Sequence, residues 1–202
     1  MFSRIIKELK EHTPFTIFGA ATGVALMLVV VLADFSAGVS ETIFFTLHPA
    51  HVVLSAFATT AMFRKYSPAR LGTVLLVGYL GAVGIATLSD AVLPYLGGSL
   101  LGIDIELEIP VISEWWLINP AALLGIAIGY FWPRTRLPHF GHVLLSTWAS
   151  LFYFAAFGVA DWIPLLPFIF VFLFLAVWLP CCVSDIVFPL LFVPDKLPRP
   201  RA

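Results

Sequence analysis

Apolar residues fall in six long stretches, at roughly 15–33, 43–63, 71–95, 115–132, 139–159 and 164–192, with short polar segments between them. A helix needs about 20 mostly apolar residues to cross a hydrocarbon core of ~30 Å, so the pattern predicts six transmembrane helices. The first stretch follows Arg4, Lys7 and Lys10 and ends on Val31-Leu32-Ala33, small residues of the signal-peptidase type. Its apolar run is longer than the roughly 7–15 residues of a secretory signal, which predicts a retained helix. The one long connection, 97–114, changes period. Ile103-Asp104-Ile105-Glu106-Leu107-Glu108-Ile109 alternates apolar and acidic positions, the pattern of an extended strand lying on the membrane surface with its apolar side down. Trp115 and Trp116 follow as an interfacial belt.

Composition narrows the class. Of 202 residues, 60% are hydrophobic and only 11% charged, with a mean hydropathy of +1.00. A soluble domain carries roughly 25% charged residues. These values exclude a soluble enzyme, a disordered chain and a nucleic-acid binder. The two cysteines, Cys181 and Cys182, are adjacent and outline no disulfide framework.

Charge sets the expected topology. Arg4, Lys7 and Lys10 precede the first span; Arg64, Lys65 and Arg70 lie between the second and third; Arg134 and Arg136 between the fourth and fifth; Lys196, Arg199 and Arg201 follow the sixth. With six spans all of these fall on one side, which the positive-inside rule makes cytoplasmic. Asp34, Glu41, Asp104, Glu106, Glu108, Glu114 and Asp161 collect on the other. The expectation is a multi-pass protein of the plasma (inner) membrane with both termini cytoplasmic.

A repeat organises the polar residues. His51-Val-Val-Leu-Ser55 and the eight residues after it match His142-Val-Leu-Leu-Ser146 and its continuation at six of thirteen positions. His48 stands three residues before His51, as His139 stands before His142. Further on, Ser89-Asp90-Ala-Val-Leu-Pro94 matches Ser184-Asp185-Ile-Val-Phe-Pro189. Each half therefore holds three helices, with H-x-x-H-x-x-x-S on its second and S-D-x-x-x-P near the end of its third. Three is odd, so the second half must enter from the opposite side, as inverted-topology repeats do. The expected fold class is an all-α integral membrane protein, six transmembrane helices as two inverted three-helix repeats. It forms a single membrane domain over 1–202, with repeat 1 at about 15–96, an external loop at 97–114, repeat 2 at about 115–192 and a tail at 193–202.

The repeated residues are metal-ligating types. Positions i, i+3 and i+7 share a helix face, so His48, His51 and Ser55 align, as do His139, His142 and Ser146. Pro49 fits a first helical turn, which makes the histidine face the opening turn of its helix. Asp90 and Asp185 each complete a two-histidine, one-carboxylate set that suits Zn²⁺, or Fe²⁺ and Mn²⁺. Ser89 and Ser184 are placed to hold the ligands. On this reading His48, His51 and Asp90 form an outer site, and His139, His142 and Asp185 an inner one. A carboxylate within a span costs about 2.5–3.5 kcal/mol on insertion scales and is by default functional or paired. Structural His–Asp pairs closing the two ends are the plainer alternative. Cys181 and Cys182 precede Asp185 and have Ala86 and Thr87 as counterparts; they are small hydrophobes or soft ligands of the inner site alone.

Gly19, Ala20, Ala21 and Gly23, and Gly125 with Gly129, suit close helix packing; Gly78, Gly81 and Gly84 suit packing and then hinging. Pro180 is expected to break the last helix. The leading functional expectation is a secondary transporter or channel for a divalent transition-metal cation, with coupling to protons as an option. An intramembrane metal-dependent hydrolase acting on a lipid ester or amide is the alternative, and a haem-binding or anchoring subunit the third. The partners expected are the lipid bilayer and a metal ion or proton, with no nucleic acid; a homo-oligomer is compatible.

Overall fold

A computed structural model describes residues 2–67, 70–133, 136–182 and 187–192. Helix dominates: α1 (Phe2–Leu32), α2 (Ala37–Tyr66), α3 (Leu71–Leu100), α4 (Trp115–Phe131), α5 (Arg136–Phe157) and α6 (Trp162–Cys182), with single-turn helices at Pro110–Ser113 and Phe188–Leu191. Among the described residues, four segments are long and apolar enough to cross a membrane: Thr13–Leu32, Ala37–Tyr66, Leu71–Leu100 and Trp162–Pro180. Trp115–Phe131 and Gly141–Phe157 are shorter apolar helices. Large apolar side chains face outward on α1, α3, α4 and α6, among them Phe18, Leu76, Leu124 and Phe168. Such a surface suits lipid and would be an association hazard in water.

The helices interlock across the two halves. α2 and α5 form the central pair; α4 packs on α2 and α3, while α1 packs on α5 and α6. Glycines set the close approaches. A Cβ on Gly125 would strike the backbone carbonyl of Val53, and one on Gly129 would lie 2.6 Å from that of Phe57. On the other side, a Cβ on Gly19 would come within 3.0 Å of the Thr147 hydroxyl. The spacing Pro-x4-Gly-x3-Gly occurs at Pro14, Gly19 and Gly23 and again at Pro120, Gly125 and Gly129. Gly125 also faces Ala56, and Gly19 faces Thr147; Ala56 and Thr147 are separated by the same interval as His51 and His142.

Several boundaries move from their expected places. The second helix begins at Ala37, one turn and more before the predicted 43, because Ser36 caps it by accepting from the Val39 N–H at 3.3 Å. Ser40 and Glu41 make this turn polar, which is why the apolar pattern begins only at 43. Pro49 therefore sits inside the helix and not in its first turn. The third helix continues to Leu100 past the predicted 95. The sixth runs through Pro180 to Cys182, so Pro180 does not break it. The alternating external segment forms only a two-residue strand, β1 (Asp104–Ile105), paired antiparallel with β2 (Gly158–Val159). Beyond Ile105 the alternation fails, since Leu107 is exposed. The Tyr153 hydroxyl holds this segment instead, accepting from the Glu108 N–H at 2.7 Å and donating to the Glu106 carbonyl at 3.0 Å.

Candidate metal centre

The centre begins with a defect in α3. An α-helix needs an N–H four residues after each carbonyl. Pro94 has none to offer the carbonyl of Asp90, and its ring crowds that position. The helix widens there into a π turn at Leu88–Val92, which carries Ser89 and Asp90; another lies at Leu80–Gly84. Such wide turns are rare and concentrate at functional sites.

Asp90 is fully buried and faces α2, where His48 and His51 are buried on one face. Both imidazoles approach the same carboxylate oxygen, His48 Nδ1 at 2.9 Å and His51 Nδ1 at 2.6 Å from Oδ2. The other oxygen, Oδ1, accepts from the hydroxyls of Ser89 and Ser146, each at 2.7 Å. Four donors thus occupy the roughly four acceptor positions of a carboxylate. That satisfaction is what makes a buried acid tolerable, since an unpaired one is far too costly. Ser150 extends the network by donating to the Ser89 carbonyl at 3.0 Å.

The group can hold a metal ion. One ligand atom each from His48, His51 and Asp90 lies within 4.8 Å of the others. A cation can be taken by the tripod itself. It can also be taken by the Nε2 atoms while Asp90 orients the rings through Nδ1–H, the usual carboxylate–histidine arrangement. The Nε2 atom of His48 is buried and has no hydrogen-bond partner among the described residues. With both imidazoles neutral, the group carries one negative charge inside an apolar bundle. None of the lysines or arginines lies between 71 and 133, so α3 and α4 bring no basic side chain to it.

His142 and Ser146 come to this centre too. The rings of His51 and His142 meet edge to face, centroids 5.3 Å apart, and Ser146 bonds Asp90 directly. The assignment of these two residues to a separate inner site is therefore corrected. The expected separation placed His48 and His51 in an opening turn, whereas they lie eleven and fourteen residues into α2, near its middle. This mid-helix position on α2 meets His142, which lies six residues into α5. Ser55 is buried on the same face of α2. His139 belongs to α5, and Cys181 with Cys182 to the last turn of α6, but their side chains lie outside the described part. Ser184 and Asp185 lie outside the described residues.

Two contributors escape the sequence reading. Ser150 stands four residues beyond Ser146, so extending the polar face of α5 by one turn would have found it. Phe44 stacks on His48 with centroids 5.4 Å apart and an interplanar angle of 18°, and packs against Tyr153 and Phe157. An apolar residue among apolar residues gives no such signal. Comparison with protein families, with characterised proteins and with solved structures gives no match.

Proposed function

We propose that the chain is a small transporter or channel for a divalent transition-metal cation. The observation that carries this reading is a two-histidine, one-carboxylate group buried midway along apolar helices. A metalloenzyme of lipid also uses such ligands, but it must admit a bulky substrate to the metal. Here Asp90 and His48 are fully buried and His51 is 1% exposed, which favours a cargo as small as an ion. Zn²⁺, Mn²⁺ and Fe²⁺ fit the donor set.

In this reading all six helices span the bilayer, as inverted repeats with both termini cytoplasmic. Support comes from the reciprocal packing of α1 on α5 and α4 on α2, and from the contact of His51 with its counterpart His142. A two-fold axis brings equivalent residues together in just this way. A second set, with His139 and Asp185 at the positions equivalent to His48 and Asp90, would complete the repeat. Cys181 and Cys182 would soften that second set.

The test is flux in proteoliposomes. Wild-type protein is expected to move at least one of Zn²⁺, Mn²⁺ and Fe²⁺, and His48→Ala or Asp90→Ala to abolish it. Flux unchanged in both variants, or no flux of any of the three ions, overturns the proposal.

A further inference from the structure

We infer that the cation's route from the His48/His51/Asp90 centre follows the crossing of α2 and α3 through a hydroxyl-lined seam, Thr59 and Thr60 against Gly78 and Gly81. The inference rests on the transporter reading and adds to it a path that the ion crosses without a resident site.

The first observation concerns where hydroxyls send their hydrogen bonds. Inside apolar helices a threonine or serine ordinarily donates to the carbonyl four residues back. Thr42, Thr46, Ser99 and Thr147 all do so, at 2.8–2.9 Å. Thr59 and Thr60 do not. Both are 0% exposed, and neither hydroxyl has a hydrogen-bond partner among the described residues. A buried polar group left so is characteristically satisfied by a water or an ion.

The second observation is direction. At 100° per residue, His48, His51, Ser55 and Thr59 fall within one narrow stripe of α2, and all four are buried. Thr59 lies eight residues past His51, about 12 Å further along the axis. The stripe runs toward Arg64 and Lys65. Across from it, α3 withdraws its side chains: a Cβ on Gly78 would strike the Thr60 hydroxyl, and one on Gly81 would lie 2.8 Å from the Thr59 methyl. Gly78 thereby leaves the Thr60 hydroxyl its place, and Gly81 lets the Thr59 side chain pack close against α3. Gly81 lies within the π turn Leu80–Gly84, a wide turn of the kind that concentrates at functional sites.

The third observation is closure. Phe188 lies beside Gly81, its ring 3.0 Å from where a Cβ would stand, and packs against the cluster of Phe63, Val74 and Val77. Phe44 covers His48 on the other side of the centre. The polar stripe is thus stopped by an aromatic ring at each end. Hydroxyl oxygens replace hydration water for a hard or borderline divalent cation without binding it as tightly as imidazole does. They suit passage.

The experiment uses the full chain with Cys181→Ser and Cys182→Ser, so that introduced thiols are the only ones. Thr59→Cys is expected to react with a small charged thiol reagent in proteoliposomes, whereas Ala61→Cys, buried on another face of α2, is not. In the otherwise native chain, Thr59→Val with Thr60→Val is expected to retain the metal content of wild type and to slow Zn²⁺, Mn²⁺ or Fe²⁺ flux. The loss should be roughly tenfold, the size of one missing hydrogen bond to a charged group. Thr59→Cys labelling no faster than Ala61→Cys overturns the inference, because the seam is then dry. So does wild-type flux in the double valine variant. Labelling of Thr59→Cys in a protein that moves none of the three ions supports a wet seam and overturns the transporter reading alone.

Discussion

α2 and α5 carry the same motif and do opposite things with it. From α2, two histidines reach Asp90, and Ser55 lies a turn beyond. From α5, the serine reaches Asp90, while His142 meets the His51 ring edge to face. One carboxylate is thus served by imidazoles from its own half of the chain and by a hydroxyl from the other half. Where two helices with one motif lie antiparallel, a given level of the bundle meets the early part of one motif and the late part of the other. Identity of sequence therefore teaches nothing about identity of role until the crossing is known.

The comparison can be sharpened by substitution, with metal content of the purified protein as the measure. His51→Ala removes a ligand atom 2.6 Å from Asp90 and should lower affinity about 100-fold or more, at the upper end of what even supporting residues cost. His142→Ala should cost less, on the order of tenfold. Equal losses would make His142 a ligand of the same ion and dissolve the contrast between the helices. Ser146→Ala removes a hydroxyl from Asp90 Oδ1 and should weaken binding by about tenfold, as a positioning effect that Ser146→Thr partly restores. A Ser146→Ala protein that binds metal as wild type does would remove α5 from the centre.

The smallest expected effect is on packing. Gly125→Ala sets a methyl against the Val53 carbonyl, which is backbone and cannot step aside, so a loss of roughly 1–3 kcal/mol is expected. Gly19→Ala meets a threonine side chain that can rotate, and should cost less. Thermal unfolding in detergent measures both. If Gly19→Ala proves the more damaging, Thr147 is held too firmly to step aside and α1 seats more tightly than α4.

Much of this was legible in the sequence, for a physical reason: in an apolar chain the polar residues are few and cannot be placed carelessly. His48, His51 and Asp90 stood out together because each is costly in a bilayer, and Ser89 because it adjoins Asp90. What the pattern hid was depth. Ser40 and Glu41 make the first turn of α2 look like loop, so the apolar pattern points to Pro49 as a helix start and to histidines at the membrane edge. Once Ser36 is recognised as the cap, the histidines move to the middle and the proposed pair of distant sites contracts. The Pro-x4-Gly-x3-Gly spacing was equally present at 14–23 and 120–129, but glycines are common in such helices and gain meaning only when the carbonyls they meet are seen. Phe44 and Phe188 could not be singled out at all, since a ring that plugs and a ring that faces lipid are the same letters.

The π turn at Leu88–Val92 has a consequence for the chain's tolerance of length change. Relative to a regular helix, a wide turn accommodates one surplus residue. Removing Ala91 would let α3 close up into a regular helix with the segment that follows still in phase, at the expense of the wide turn that carries Ser89 and Asp90. Asp90 would then face new neighbours while Pro94 and Tyr95 kept their own. A single-codon deletion in this stretch should accordingly be far more harmful than one in the external loop, where no buried acid depends on the width of a helical turn.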